Sequence, residues 1–395
     1  MLERPISKAG WTRVRFDQIA AQINDRVDNP AEAGVERYVG LEHLDPDSLR
    51  IRRWGEPTDV ESTKLRFQPG DIIFGKRRVY QRKVAVADFE GICSAHAMVL
   101  RAKPGAVLPE FLPFLMQSDL FMERALSISV GSLSPTINWK ALAAEEFLLP
   151  PIQEQARLVE ALSAYRNADE ALGITADNLA ATRSAYVSHV IGQNGEAAEK
   201  VSVGSLLVDG PTNGRSPAPS DSETGFKTVS ISAIRDGVFD PEGCIKFVEM
   251  TPAEARPFIV QSGDIFAVRG NGNRDICGKV GISRQTYPDL VYPDLLIRMR
   301  FDPSRLLTDF VVAQWNHPAV HGRLISRAKS SNGIWKVNGK DIRAHTLVVP
   351  PMDAQREAVQ FLGALDMQAN AIEARFATLR DMKRELFKAI SGGVE

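Results

Sequence analysis

Apolar positions recur at intervals of threes, fours and sevens along two stretches of the chain. Ile152, Val159, Leu162, Tyr165, Leu172, Leu179, Tyr186 and Val190 share one phase. Met352, Val359, Leu362, Leu365, Ile372, Leu379, Leu386 and Ile390 repeat that phase two hundred residues later. A narrow seam sustained over several heptads predicts a long helix paired as a coiled coil. The candidate seam is Val159, Leu162, Leu172 and Leu179 on one helix and Val359, Leu362, Ile372 and Leu379 on the other. Pro151 and Pro351 suit a first helical turn, where a missing N–H is harmless. Gly192 and Gly392 suit C-terminal stops. Gly173 and Gly363 lie inside the pattern, each costing ~1 kcal/mol relative to Ala. They either permit close helix approach or are simply tolerated.

The remaining sequence alternates short apolar runs with Gly, Pro, Asp and Asn clusters. Residues 72–74, 84–87 and 98–100 read as strands, as do 229–231, 265–268 and 295–297. Segments 109–125 and 308–328 read as helices, and 216–225 as a loop.

The chain is also written twice. Gly70-Asp71-Ile72 returns as Gly263-Asp264-Ile265, and Leu149-Pro150-Pro151-Ile152 with Gln155 returns as Val349-Pro350-Pro351-Met352 with Gln355. Weaker echoes pair Val14 with Val201, Val39 with Val229, Lys83 with Lys279, Arg101 with Arg298 and Phe111 with Phe310. The offsets rise in order from 187 to 200. An ordered drift is what a duplication with small loop insertions produces. The predicted fold is α+β: two pseudo-symmetric mixed α/β modules (1–150 and 196–350) joined by two long antiparallel coiled-coil helices (151–195 and 351–395). Antiparallel pairing follows because the second helix must run back if the two halves are related by a pseudo-dyad. Forty helical residues would span ~60 Å, more than one small module needs, so a spacer is expected.

Composition adds limits. At 395 residues, two or three domains are expected. No apolar run approaches the ~20 residues needed to cross a bilayer, and the start of the chain does not read as a secretory signal. Cys93, Cys244 and Cys277 are too few and scattered for a disulfide framework or zinc site. A cytoplasmic location is expected. Lys+Arg number 48 against Asp+Glu 49, so no global field attracts polyanions. Basic residues nevertheless cluster at 64–83 and 323–340. Such patches suit a nucleic-acid binder and equally suit solvated faces.

Several apparent motifs fail on chemistry. Around Gly333, Gly339 and Lys340 the glycines are wrongly spaced for a phosphate loop, and Asp341 stands where a hydroxyl is required. His317 and His321 have Pro318 between them and no carboxylate. No catalytic residues and no metal site are predicted.

The loops between strands are more informative. Lys76, Arg77, Arg78, Tyr80, Gln81, Arg82 and Lys83 separate two strands of the first module. Basic side chains can neutralise phosphates, and Arg and Gln can pair bidentately with guanine and adenine. The corresponding loop of the second module offers Arg269, Asn271, Asn273, Arg274 and Lys279. Its scaffold matches while its side chains differ, as two readers of different sequences would. Arg327, Lys329 and Asn332 form a second patch there, whose counterpart at 127–136 is Ser-rich and uncharged. Lys76 and Lys83 are expected to meet phosphates, since an ammonium lacks a planar fork.

With two variable modules, the recurring Gly-Asp-Ile, and the helix openings LPPIQEQ (149–155) and VPPMDAQ (349–355), the chain resembles the specificity subunit of Type I restriction–modification systems. The second opening departs from the first, with Ala354 where Glu154 stands. The resemblance implies two target-recognition modules, each reading one half of a split double-stranded DNA target. It implies helices that act as a ruler and dock methyltransferase subunits, two given the pseudo-dyad. Restriction/translocase subunits would do the cleavage. It implies no cofactor in this chain, with S-adenosylmethionine and ATP/Mg in the partner subunits. The competing readings are the specificity subunit of another DNA-modification defence system, a DNA-modifying enzyme with a dispersed site, and a structural coiled-coil adaptor.

Overall fold

The computed structural model describes residues 9–105, 107–193, 199–331 and 333–390. It divides into two units, Met1–Gly173 with Glu373–Glu395, and Ile174–Ile372. The long helices, Ile152–Gln193 and Met352–Ile390, each contribute one part to each unit.

In the first unit a four-stranded antiparallel sheet runs in the order Ala20–Ile23, Ala97–Ala102, Ile72–Gly75, Val84–Val86. Its central strands are apolar on both faces, so they read as unbroken hydrophobic runs rather than alternations. Ile72, Phe74, Val84, Met98 and Leu100 point into a core with helices Phe111–Gln117 and Asp119–Ser127. Ile73, Ala85, Ala97 and Val99 point the other way, onto a second sheet built from Arg26–Val27, Lys64–Phe67, Gly91–Ser94 and Tyr38–Val39. The first core also takes Leu158 and Leu162 from the first long helix and Leu386, Ala389 and Ile390 from the second.

The second unit repeats the plan. Its six-stranded sheet includes Leu207–Asn213, Leu296–Phe301, Ile265–Val268 and Val280–Ile282 in that order. Ile265 and Ala267 enter one core, while Phe266 and Val268 enter another. Arg183 pairs with Asp366 at 3.1 Å, and the tilted rings of Tyr186 and Phe361 lie 4.2 Å apart between centroids. Advancing along one helix retreats along the other, so the pair is antiparallel here.

The seam residues are mostly where the periodicity puts them. Leu162, Leu362, Ile372 and Leu379 are buried, and Val159, Val359, Leu172 and Leu179 are partly so. Ile152 is 41% exposed, because it is the first helical residue and precedes the packed stretch. Leu158 and Ala358, outside the predicted seam, are buried in the cores of the first and second units.

Four further expectations change. Segments 109–125 and 308–328 are helix pairs, each broken at an extended residue. Ser118 breaks the first, and its Oγ accepts from the Phe121 N–H to cap the next helix. Pro318 follows the break at His317 in the second. The expected strand 229–231 ends at Val229 and gives way to the tight turn Ile231–Ala233. Gly192 lies inside the helix instead of stopping it, and Gly392 lies outside the described residues. At Gly173 and Gly363 an added Cβ would meet nothing within 4 Å, so neither serves close helix approach.

The duplication itself needs one realignment. Ile72 pairs with Leu100 and Ile265 with Met299, so Arg101 corresponds to Arg300 and not to Arg298. A slip of two residues along a strand preserves which side chains face the core, which hides it from the sequence pattern. The realigned residues do the same work. Arg101 pairs with buried Asp71, and Arg300 with buried Asp264. Each Asp also accepts a backbone N–H, from Gln68 and Gln261, both at 2.8 Å. The recurring Gly-Asp-Ile is thus a turn with a built-in ion pair. Its glycines have φ of 89° and 86°, values that ordinary side chains rarely adopt.

Candidate nucleic-acid interface

The basic loop of the first unit leaves the strand Ile72–Gly75 and folds over a tight turn, Val79–Gln81. The turn is flanked by two left-handed residues, Arg78 (φ 58°) and Arg82 (φ 53°). Such conformations cost energy and persist only where the surroundings fix them. Here Val79 is buried, the Arg78 N–H donates to Pro135 O at 2.7 Å, and the Arg82 N–H donates to Val79 O at 2.8 Å.

Packing sorts the predicted contact residues. Arg82 donates to Asp47 Oδ1 and to Gln117 O, both at 2.7 Å, and lies 3.0 Å from Asp119. Lys83 Nζ donates to Leu41 O at 2.6 Å. Both side chains therefore fasten the loop to the fold, contrary to the expectation that Lys83 is free for phosphate. Arg77 Nη1 lies 3.3 Å from His96 Nε2. Burial, then Arg77 and Lys76, hold the His96 pKa below its ordinary value, which keeps the ring neutral beside the guanidinium. Arg78 Nε donates to Ser134 Oγ at 3.3 Å, and the Arg78 side chain is exposed. Tyr80 is 54% exposed, and Gln81 is half-buried beside it. Lys76 is half-buried, and burial lowers its pKa. Arg78 and Tyr80 are the exposed part of this loop, with half-buried Lys76, Arg77 and Gln81 beside them.

The second unit follows the same division. Lys279, the counterpart of Lys83, donates to Asn316 O at 2.8 Å. Arg269 donates to Asp294 O at 3.2 Å, and Arg327 to Ala344 O at 2.8 Å. These three also fasten loops to the fold. Asn271 Oδ1 accepts from the Asn273 N–H, and Asn273 Oδ1 accepts from the Asp275 N–H. These consecutive local turns shape the loop. The Arg274 guanidinium lies 5.1 Å from the Trp335 ring, a cation–π arrangement. Lys329 is exposed, and Asn332 lies outside the described residues.

Sequence alone left the two basic patches of this unit separate; the fold joins them. Strand Gly270–Asn271 pairs with Ile334–Lys336, which pairs with Lys329–Ser331. In the first unit the equivalent segments meet through bridges Arg77–Thr136 and Val130–Thr136. Each unit therefore presents two loops side by side. Trp335, Val130 and Leu133 belong to these surfaces and were missed. The alignment of 127–136 with 327–336 was the signal that could have found them.

Among the described residues no group of three or more His, Cys, Asp or Glu could hold a metal ion. Among them also, no helix is long and apolar enough to cross a membrane.

Residues 58–175 match the model of the Type I restriction modification DNA specificity domain. The chain is 24% identical over 345 residues to the Type I restriction enzyme EcoKI specificity subunit of Escherichia coli (strain K12), covering 79% of this chain and 74% of that one. It is 32% identical over 180 residues to the EcoDI specificity subunit of Escherichia coli, covering 42% of this chain and 38% of that one. In fold it is similar to the Type I restriction–modification S subunit from M. genitalium, with TM-score 0.59 and 15% identity over 99% and 98% of the two chains. A chain from a structure on complex assembly and conformational transition of the type I R-M system gives TM-score 0.59 at 18% identity over 98% and 99%. The resemblance read from the sequence is borne out.

Proposed function

We propose that this chain, a relative of the specificity subunits of Type I restriction enzymes, is a non-catalytic DNA reader with one half-site per unit. The observation that carries this reading is the repeated surface. In each unit one scaffold, fastened by an Asp–Arg ion pair and a half-buried lysine-to-carbonyl bond, presents two adjoining loops of different side chains. A common scaffold with different loops suits two different half-sites in double-stranded DNA.

In the first unit Lys76, Arg77 and Arg78 supply the cations, and Gln81 an amide able to pair with adenine. In the second, Arg274 and Lys329 supply the cations, and Asn271 and Asn273, whose oxygens shape the loop, offer their Nδ2 amides as donors to base edges. The modules are residues 1–150 and 196–350, and the helices set the gap between half-sites. Methyltransferase subunits, two in number, dock on the helices and bring S-adenosylmethionine. Restriction subunits bring ATP and magnesium. The complex works in the cytoplasm.

Co-expression with the methyltransferase encoded beside it, followed by sequencing of methylated sites, tests the reading. The expected result is methylation at one split sequence, with none from this chain alone. Methyl transfer by the isolated chain would overturn the division of labour.

A further inference from the structure

The segment 128–136 of the first unit is uncharged, yet it lies against the arginine loop. Its base is fixed. Val130 and Thr136 exchange two backbone hydrogen bonds of 3.0 Å, and the Ile137 N–H donates to Lys76 O at 2.9 Å. Pro135 O accepts from the Arg78 N–H, and Ile137 is buried. From this base the loop holds Val130 79% exposed and Leu133 91% exposed. Single exposed apolar residues are ordinary. Two on one anchored loop, beside three cations, are a combination with a chemical match. In duplex DNA the major groove offers phosphates and acceptors to cations, and one apolar group, the thymine C5 methyl.

We propose that Leu133 and Val130 are specificity-determining residues that contact thymine methyl groups in the half-site read by the first unit, beside Lys76, Arg77 and Arg78. The inference rests on the DNA-reading function above. It assigns that half-site at least one A·T pair at a position recognised without a side-chain hydrogen bond. Removing either side chain disturbs no core, because both stand in solvent.

The test uses the chain in complex with its methyltransferase and the target found by methylation sequencing. Thymines of the half-site are replaced one at a time by deoxyuridine, which deletes only the methyl. Wild-type binding should weaken about fourfold at one or two positions, the equivalent of one buried CH₂. Leu133→Ala or Val130→Ala should weaken binding to thymine DNA by at least as much and show no further loss on deoxyuridine DNA. Additive losses, indifference to every deoxyuridine, or a half-site without an A·T pair would overturn the inference while leaving the DNA-reading function intact. Weakened methyltransferase association of Leu133→Ala without DNA would overturn it too, marking the loop as a protein contact. Absence of any sequence-specific binding would defeat the function and the inference together.

Discussion

Gln155 and Gln355 show why the helix openings recur. Each amide is fully buried. Gln155 Oε1 accepts from the Leu108 N–H at 2.8 Å while Nε2 donates to Pro150 O at 2.9 Å. Gln355 accepts from the Leu307 N–H and donates to Pro350 O, at 2.9 and 2.8 Å. Gln155→Ala or Gln355→Ala should cost about 1–3 kcal/mol in denaturant unfolding, because buried backbone groups lose their partners. Among the described residues the Glu154 side chain makes only an exposed pair with Arg157, so Glu154→Ala should change stability by less than about 0.5 kcal/mol. That is why Ala354 can stand at its counterpart. Gly173→Ala and Gly363→Ala should each stabilise by about 0.5–1 kcal/mol, since the new methyl meets open space. His345 works in the opposite sense. Burial, then Arg323, Arg327 and His321, pushes its pKa down to about 4, and its Nε2 has no hydrogen-bond partner among the described residues. The folded state thus binds fewer protons than the unfolded. Stability is full above pH ~6.5 and falls as pH drops toward 4, by roughly 3 kcal/mol at most. Urea titrations from pH 7 to 4.5 should show this loss, and His345→Leu should flatten it.

At the scale of elements, the strands and long helices were legible because their patterns have a period. The unbroken runs at 72–74 and 265–268 became strands buried on both faces, and the threes, fours and sevens became antiparallel helices. The loops were legible only in part. The sequence displays seven polar or basic residues between 76 and 83 but not which of them the fold consumes. Arg82 and Lys83 turn inward because Asp47, Gln117 O and Leu41 O come from distant segments. No local pattern encodes those partners. The register of Arg101 was missed for the related reason that a two-residue slip leaves the alternation intact. These loop roles separate by experiment. Arg82→Ala should lower stability by about 1–2 kcal/mol in thermal or urea unfolding, through lost bonds to Asp47 and Gln117. Arg78→Ala should leave stability unchanged and weaken DNA binding. A base-reading arginine loses ~1–3 kcal/mol at one half-site only. A phosphate contact loses affinity uniformly and reduces the salt slope by about one.

At the scale of the whole molecule, the duplication is the feature on which the functional account depends. If the helices set the gap between half-sites, removing a heptad from each should change it. Deleting residues 172–178 together with 372–378 keeps the apolar phase and shortens each helix by ~10 Å. The expected result is a shifted gap or lost activity with both modules still folded, read by methylation sequencing and circular dichroism. A module exchange measures most directly whether each unit reads one half-site. Residues 12–149 are replaced by the corresponding segment of a relative, the hybrid is co-expressed with the methyltransferase, and methylated sites are sequenced. One half of the target should change while the other half and the gap stay as they were. A hybrid that alters both halves, or neither, would contradict the assignment of one half-site to each unit.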